Sequence, residues 1–319
     1  MVLEGIIMIK TISNYFFNDA KGIIIDNAYD SYTLNCLIKY YESNNILFLQ
    51  SQDNDLNYLD RFSNVEYLSL PQEAYNFDNL NRLTKLKGLS IYSSKIDMID
   101  ENILKKLQYL NIIYDDKTKV DFTALDSLKF LRIVNCPFVD LCIYNSLEYL
   151  ELNYCKKIIN LNFLDNLTTL KNLILSYLPA LNNIKGLERF EYNLEKISII
   201  DCKKVDNVEL TLSKLKELKE IQIITEEIET KLELKSLCFI KELVKLESFT
   251  TNYKIEDGDL SYLLKLNDVI IIPFYKHYNL KDKDLPHKEV LINDNGVIKK
   301  VKLCSLENGK DDSRIIWEK

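Results

Sequence analysis

The sequence predicts an α/β repeat solenoid. A curved parallel β-sheet lines the concave face, and short helices, 3-10 segments and loops form the convex face. Three observations predict it. The stretch Leu147-Glu148-Tyr149-Leu150-Glu151-Leu152-Asn153-Tyr154-Cys155 alternates apolar and polar residues through Leu150 and Leu152, the pattern of a short strand with one buried face. The same spacing returns as Leu128, Leu131, Ile133, Cys136 and as Leu194, Ile197, Ile199, Cys202, with weaker copies starting at Val65, Leu86, Leu107, Leu170, Leu218, Leu246 and Leu266. Successive starts lie 19 to 28 residues apart. A strand with one apolar face cannot bury itself, so it needs copies on either side, and a near-constant period supplies them.

The nonapeptide L-x-x-L-x-L-x-x-C and its period resemble the leucine-rich repeat family over residues 44–275, in a bacterial-type, irregular form. Cys136, Cys155 and Cys202 at the ninth position resemble the cysteine-type units of that family, where Cys stands in for the commoner Asn. The resemblance implies a module that binds other macromolecules on its concave face.

Residues 1–43 precede the repeats and are expected to form an N-terminal cap, because a solenoid end exposes core leucines and an unpaired strand edge. Within it Gly22–Asp26 reads as a strand, and Leu34, Leu37, Ile38 and Tyr41 give Tyr32–Tyr41 the spacing of an amphipathic helix. Asn45–Ser51 is an irregular first repeat. Leucines three apart in Asp78–Leu86 and Phe163–Leu170 suit short helical or 3-10 connections on the convex side. The unit starting at Leu218 is the longest, and Leu234, Leu237, Cys238, Ile240, Lys241 and Leu243 predict an α-helix within Lys231–Leu246. Residues 276–319 depart from the pattern. Pro286 ends the repeats, and Asn295-Gly296 between two β-rich runs predicts a hairpin that serves as the C-terminal cap, followed by a polar tail carrying Trp317.

The chain has 319 residues, with 41 Lys and Arg against 48 Asp and Glu, a net charge of −7. That balance opposes a non-specific nucleic-acid binder, which needs a basic stripe to neutralise phosphates. It fits a basic protein partner, but ordinary solubility alone is the stronger account of it. Seven cysteines without a C-x-x-C pair read as reduced thiols, and three at one core position imply a reducing compartment. The first ten residues lack the basic start and cleavage site of a signal peptide, and no apolar run reaches membrane-span length. The expectation is a cytoplasmic monomer with no membrane partner. The abundance of Asn, Ile, Lys and Tyr points to a bacterial source.

No phosphate-loop, dinucleotide, nucleophile-elbow or zinc motif occurs, so no catalytic, cofactor or metal residue is assigned. The two histidines, His277 and His287, read as solvent-exposed, and the carboxylate pairs Asp115-Asp116 and Asp311-Asp312 as surface loops. The informative residues are those expected to point outward at the third, fifth, seventh and eighth repeat positions. Tyr67, Tyr109, Phe130 and Tyr149 hold third positions. Asn111, Arg132 and Glu151 hold fifth positions. Tyr92, Tyr114, Tyr154, Tyr177 and Tyr253 hold seventh or eighth positions. Tyrosine offers a large, stiff contact area with a polar tip, which suits an interface. The expected function is a non-enzymatic protein-binding module using this face. The alternatives are the substrate-recognition arm of an enzyme complex or effector, and an immunity-type protein that blocks a toxin.

Overall fold

The computed structural model describes residues 22–26, 29, 31–44, 46–122, 125–138, 147–226 and 232–287, and the backbone of 289–294 and 297–302. The chain divides into two compact units, one running to Pro137 with Leu147, the other taking in Phe138 and the chain from Glu148 onward.

In the first unit, β1 (Gly22–Ile25), α1 (Ser31–Asn44) and β2 (Phe48–Ser51) are followed by β3 (Tyr67–Ser69), β4 (Gly88–Tyr92), β5 (Tyr109–Ile113) and β6 (Phe130–Val134). The strands hydrogen-bond in chain order, all parallel. Register follows the repeat: Leu68, Leu89, Leu110 and Leu131 are cross-strand partners, and all four are buried. The expected first strand and amphipathic helix are both present. Leu37 and Tyr41 of α1 are buried, and the Tyr41 ring meets Phe62 edge-on at 5.0 Å.

The second unit contains β7 (Tyr149–Asn153), β8 (Asn172–Ser176), β9 (Lys196–Ile200), β10 (Glu220–Ile224), β11 (Glu233–Leu234), β12 (Ser248–Thr251), β13 (Lys254–Ile255) and β14 (Asp268–Ile271). Here β7, β8, β9, β10, β12 and β14 form the parallel array in chain order, while β11 pairs with β13 as a separate two-stranded sheet. Leu150, Leu173, Ile197, Ile221, Phe249 and Val269 make one buried file across it. Connections return through 3-10 turns such as Asn162–Asn166, Leu187–Phe190, Cys238–Glu242 and Ser261–Lys265. Each buries at least one apolar residue against the sheet, Leu164, Leu187, Ile240 and Leu263 among them, so the core lies between strands and turns. In each unit, six parallel strands backed by short helical turns have the architecture of a leucine-rich repeat solenoid.

Two expectations are corrected here. Of the helix expected within Lys231–Leu246, the described residues 232–246 are not α-helical. Glu233–Leu234 pairs with Lys254–Ile255, and the Ser236 hydroxyl accepts from the Cys238 amide at 3.1 Å, so only the turn Cys238–Glu242 is helical. A backbone that bonds a neighbouring repeat has no amides left for an i,i−4 ladder. Nor is His287 exposed; it is 9% accessible. The Val269 amide of β14 donates to the Pro286 carbonyl at 2.9 Å, and His287 Nδ1 meets the Val269 carbonyl at 3.0 Å. Its Nε2 lies 2.8 Å from the Asp282 carbonyl. Pro286 and His287 therefore occupy both ladder groups of Val269 on an edge strand. The predicted hairpin is present as antiparallel β15 (Glu289–Asp294) and β16 (Val297–Lys302); its Asn-Gly tip lies outside the described residues, as do Asp311-Asp312 and Trp317. Among the described residues no helix is long and apolar enough to cross a membrane.

Candidate partner-binding faces

Strand periodicity decides which side chains leave the core. Positions four and six point inward, so three, five and seven point out. In the first unit the third positions Tyr67, Gly88, Tyr109 and Phe130 are in register. The Tyr67 ring crosses the glycine to meet Tyr109 edge-on at 5.6 Å, and Tyr109 meets Phe130 at 6.0 Å. A Cβ on Gly88 would lie 2.5 Å from Tyr67 Cδ1, so this glycine supplies space. Burial, then the neighbouring Tyr109 and Glu66, push the Tyr67 hydroxyl up to about 12, so it remains a neutral donor. Beside the rings runs a polar file. Asn111 Nδ2 donates to Ser90 Oγ at 2.8 Å, and Arg132 Nη1 donates to Asn111 Oδ1 at 3.3 Å. Tyr92, at a seventh position, is half-buried. Asn111 and Phe130 are more enclosed than expected, because adjacent files cover them.

In the second unit the outward residues of β7–β10 and β12 line a groove of about 300 Å³. Tyr149 forms part of its wall, Ile174 lies at fifth position, and Asn172, Ser198, Gln222, Ser248 and Thr250 offer hydrogen bonds. Lys196 and Glu220 pair across the groove at 2.7 Å. Glu151 is buried, with the Tyr149 hydroxyl donating to its Oε2 at 3.3 Å. Sequence reasoning missed the neighbouring second-position file. Lys171–Glu148 at 2.9 Å and Lys219–Glu195 at 2.7 Å form an alternating charge ladder, matched in the first unit by Lys87–Glu66 at 2.8 Å. The signal was legible, since second positions alternate Glu148, Lys171, Glu195, Lys219, Glu247.

The eighth position corrects the expectation most sharply. With an extended backbone it should share the inward face of positions four and six. Ser93, Tyr114, Thr225 and Tyr253 do so; Tyr114 is 5% and Tyr253 7% accessible. Asn135, Tyr154, Tyr177 and Asp201 instead adopt left-handed φ of 59°, 54°, 53° and 52°, and their side chains reach solvent. The ninth residue separates the two groups. Cys136, Cys155, Leu178 and Cys202 are apolar and buried, whereas Ser94, Asp115, Glu226 and Lys254 are polar. Burying position nine directly after position six's face requires position eight to flip. Asn and Asp tolerate this conformation; a tyrosine there is strained. Tyr154 and Tyr177 are nonetheless retained, stacked at 4.4 Å and 8°, with Tyr154 43% accessible and the Tyr177 hydroxyl donating to Glu226. The ninth-position thiols fill tight slots: Cys155 Sγ donates to the Asn153 carbonyl at 3.4 Å, and Cys202 Sγ lies 3.4 Å from the Ile200 carbonyl. Burial pushes the Cys202 thiol up to about 12.

Asp115 and Asp116 form a structural clasp. The buried Ser93 hydroxyl lies 3.0 and 2.9 Å from their Oδ1 atoms, and the Ser94 amide and hydroxyl donate to Asp115 at 3.1 and 2.8 Å. Burial would raise the Asp115 carboxyl, but hydrogen bonds from Ser94, Ser93 and Gln72 outweigh it and hold the group below the usual range. Among the described residues no three His, Cys, Asp or Glu side chains converge as metal ligands.

The fold has a solved counterpart. The structure described as the TLR13–ssRNA13 complex superposes with a TM-score of 0.53 at 19% identity, over 74% of this chain and 36% of that one. This chain thus spans about a third of the length of the protein it matches. No protein-family model and no curated protein sequence matches the chain.

Proposed function

We propose that this chain is a non-enzymatic protein-binding module that engages its partner through the outward faces of its parallel strands. One observation carries the reading: aromatic and hydrogen-bonding side chains stand in register at positions three and five, where a purely structural sheet needs only bulk. The Tyr67–Tyr109–Phe130 file and the Tyr149-walled groove are the contact surfaces in the two units. The reading takes the protein as a cytoplasmic monomer, supported by buried thiols suited to a reducing compartment.

A nucleic-acid partner is the second reading, because the TLR13 structure carries a single-stranded RNA. Against it stand the net charge of −7 and the glutamates interleaved with lysines along the second positions, which leave no continuous basic stripe there. The test is capture of the native partner by the full chain, with Tyr67→Ala/Tyr109→Ala and Tyr149→Ala/Lys196→Ala as separate variants. Both are expected to fold, and at least one to lose the captured protein. Undiminished capture by both excludes the outward faces. Salt-sensitive binding of labelled single-stranded RNA in place of any protein selects the second reading.

A further inference from the structure

The turns that follow β7, β8 and β9 share one conformation and differ sharply in chemistry. They read Tyr154-Cys155-Lys156-Lys157, Tyr177-Leu178-Pro179-Ala180 and Asp201-Cys202-Lys203-Lys204. In each, the eighth residue is left-handed, the ninth is buried, and the next two form the turn tip. The tips are fixed side by side, because backbone bonds link the repeats on both sides of them. Before the tips, the Tyr154 amide donates to the Ser176 carbonyl at 3.1 Å and the Tyr177 amide to Ile200 at 2.8 Å. After them, the Asn182 amide donates to Ile159 at 3.2 Å and the Asp206 amide to Asn182 at 3.1 Å. The small Pro179-Ala180 tip therefore lies between two Lys-Lys tips. At parallel-strand spacing those two flanks stand about 10 Å apart.

Charge on this rim is uncommitted. Most second-position lysines face a glutamate of the preceding repeat, whereas Lys156, Lys157 and Lys204 are exposed and make no ion pair among the described residues. The nearby carboxylates are engaged: Asp201 accepts from the Thr225 hydroxyl at 2.6 Å and lies 3.8 Å from Lys203, Asp206 accepts from the Asn207 amide at 2.8 Å, and Glu226 accepts from the Tyr177 hydroxyl. The stacked tyrosines sit at the strand side of the same tips. The repeat dictates their left-handed backbone, as Asn135 and Asp201 show, but it does not dictate rings there. A residue type that opposes its own backbone, exposed and stacked, points to a role in recognition.

We propose that these three turns form a docking seat for an acidic segment of the partner protein. Its carboxylates bridge the two lysine tips over Pro179-Ala180, and an apolar or aromatic side chain lies on the Tyr154–Tyr177 stack. The proposal rests on the protein-binding reading and adds the partner's chemistry to it. It also revises the expectation of a basic partner, because at this rim the local charge opposes the net charge of the chain. A peptide can place isolated carboxylates over the lysines and turn uncharged residues toward Asp201 and Glu226. A phosphodiester strand carries charge at every step and cannot.

The test uses the full chain and a fluorescein-labelled peptide of alternating Glu and Leu with one central Trp, read by anisotropy. A matched peptide with Lys for Glu and an oligouridylate are the comparisons. The acidic peptide is expected to bind in preference to both, with affinity falling as salt rises. Lys156→Glu/Lys157→Glu/Lys204→Glu should weaken it about tenfold or more. Tyr154→Asn/Tyr177→Asn should also weaken it while melting at the same or a higher temperature, since Asn relieves the left-handed strain. A lost fold cannot produce that pair of results. Capture of the native partner by Tyr67→Ala/Tyr109→Ala reports on the outward faces and peptide anisotropy reports on the seat, so failure of the outward-face reading and failure of the seat are read separately. Equal binding of acidic and basic peptides, retained affinity in either rim variant, or preferential binding of the oligouridylate overturns the proposal.

Discussion

Gly88→Ala isolates the packing that organises the aromatic file of the first unit. In a strand interior, replacing Gly by Ala ordinarily gains about 0.5–1 kcal/mol by restricting the unfolded chain. Here the new methyl would lie 2.5 Å from Tyr67 Cδ1, 3.1 Å from Tyr67 Cε1 and 3.2 Å from Tyr109 Cβ. Ordinary carbon contacts begin near about 3.5 Å, so the Tyr67 ring must withdraw by roughly 1 Å. Withdrawal forfeits its edge contact with Tyr109, worth about 0.5–1.5 kcal/mol, and overpacking in such sites costs about 1–3 kcal/mol. The losses exceed the gain, and Gly88→Ala should destabilise by about 1–2 kcal/mol. In a Tyr67→Ala background the nearest clash is gone, and the same substitution should be neutral or slightly stabilising. Urea denaturation of the four proteins in the cycle measures the coupling, expected at about 1–2 kcal/mol. An equal cost of Gly88→Ala with and without the Tyr67 ring would refute the claim that the glycine exists to let the ring pass.

Three further outcomes are expected. Cys155→Phe should destabilise by about 1–3 kcal/mol through overpacking, and Cys155→Ser by about 1 kcal/mol if its hydroxyl takes over the bond to the Asn153 carbonyl; native thiol labelling of Cys136, Cys155 and Cys202 as fast as in urea would contradict their burial. His287→Ala leaves the carbonyls of Val269 and Asp282 without the ring, beside an Asp282 Oδ1 that already has no hydrogen-bond partner, and should cost about 2–4 kcal/mol; a urea midpoint indistinguishable from wild type would show that the edge strand needs no such clamp. Asp115 and Asp116 are held below the ordinary carboxylate range, Asp115 by Ser94, Ser93 and Gln72 against its burial and Asp116 by Thr118. A depressed folded value means their contribution is present at neutral pH and is lost as pH falls below about 4. Melting temperature followed from pH 7 downward should therefore drop less in Ser93→Ala/Ser94→Ala, which starts lower, than in wild type.

The repeat architecture was written in the sequence because solenoid contacts are nearest-neighbour contacts: period and apolar spacing place each strand without any long-range information. The inward leucine files and the buried ninth-position cysteines follow from that periodicity alone. So do the outward third and fifth positions, and the alternating second-position charges could have been read the same way. What periodicity could not supply was backbone hand and the fate of individual groups. Tyr114 and Tyr154 share the eighth position and the residue type, yet one is buried and the other exposed, because only the latter precedes an apolar ninth residue that forces a left-handed turn. The space over Gly88 belongs to a ring two strands away from Tyr109's own, which sequence spacing does not measure. The segment 231–246 satisfied helical spacing, but its backbone found hydrogen-bond partners on β13 instead. His287, polar and near the end of the repeats, was drawn inward by two carbonyls and an unpaired strand edge. Local pattern fixed which residues could be core, and tertiary hydrogen bonding decided which backbone groups had to be satisfied and by whom.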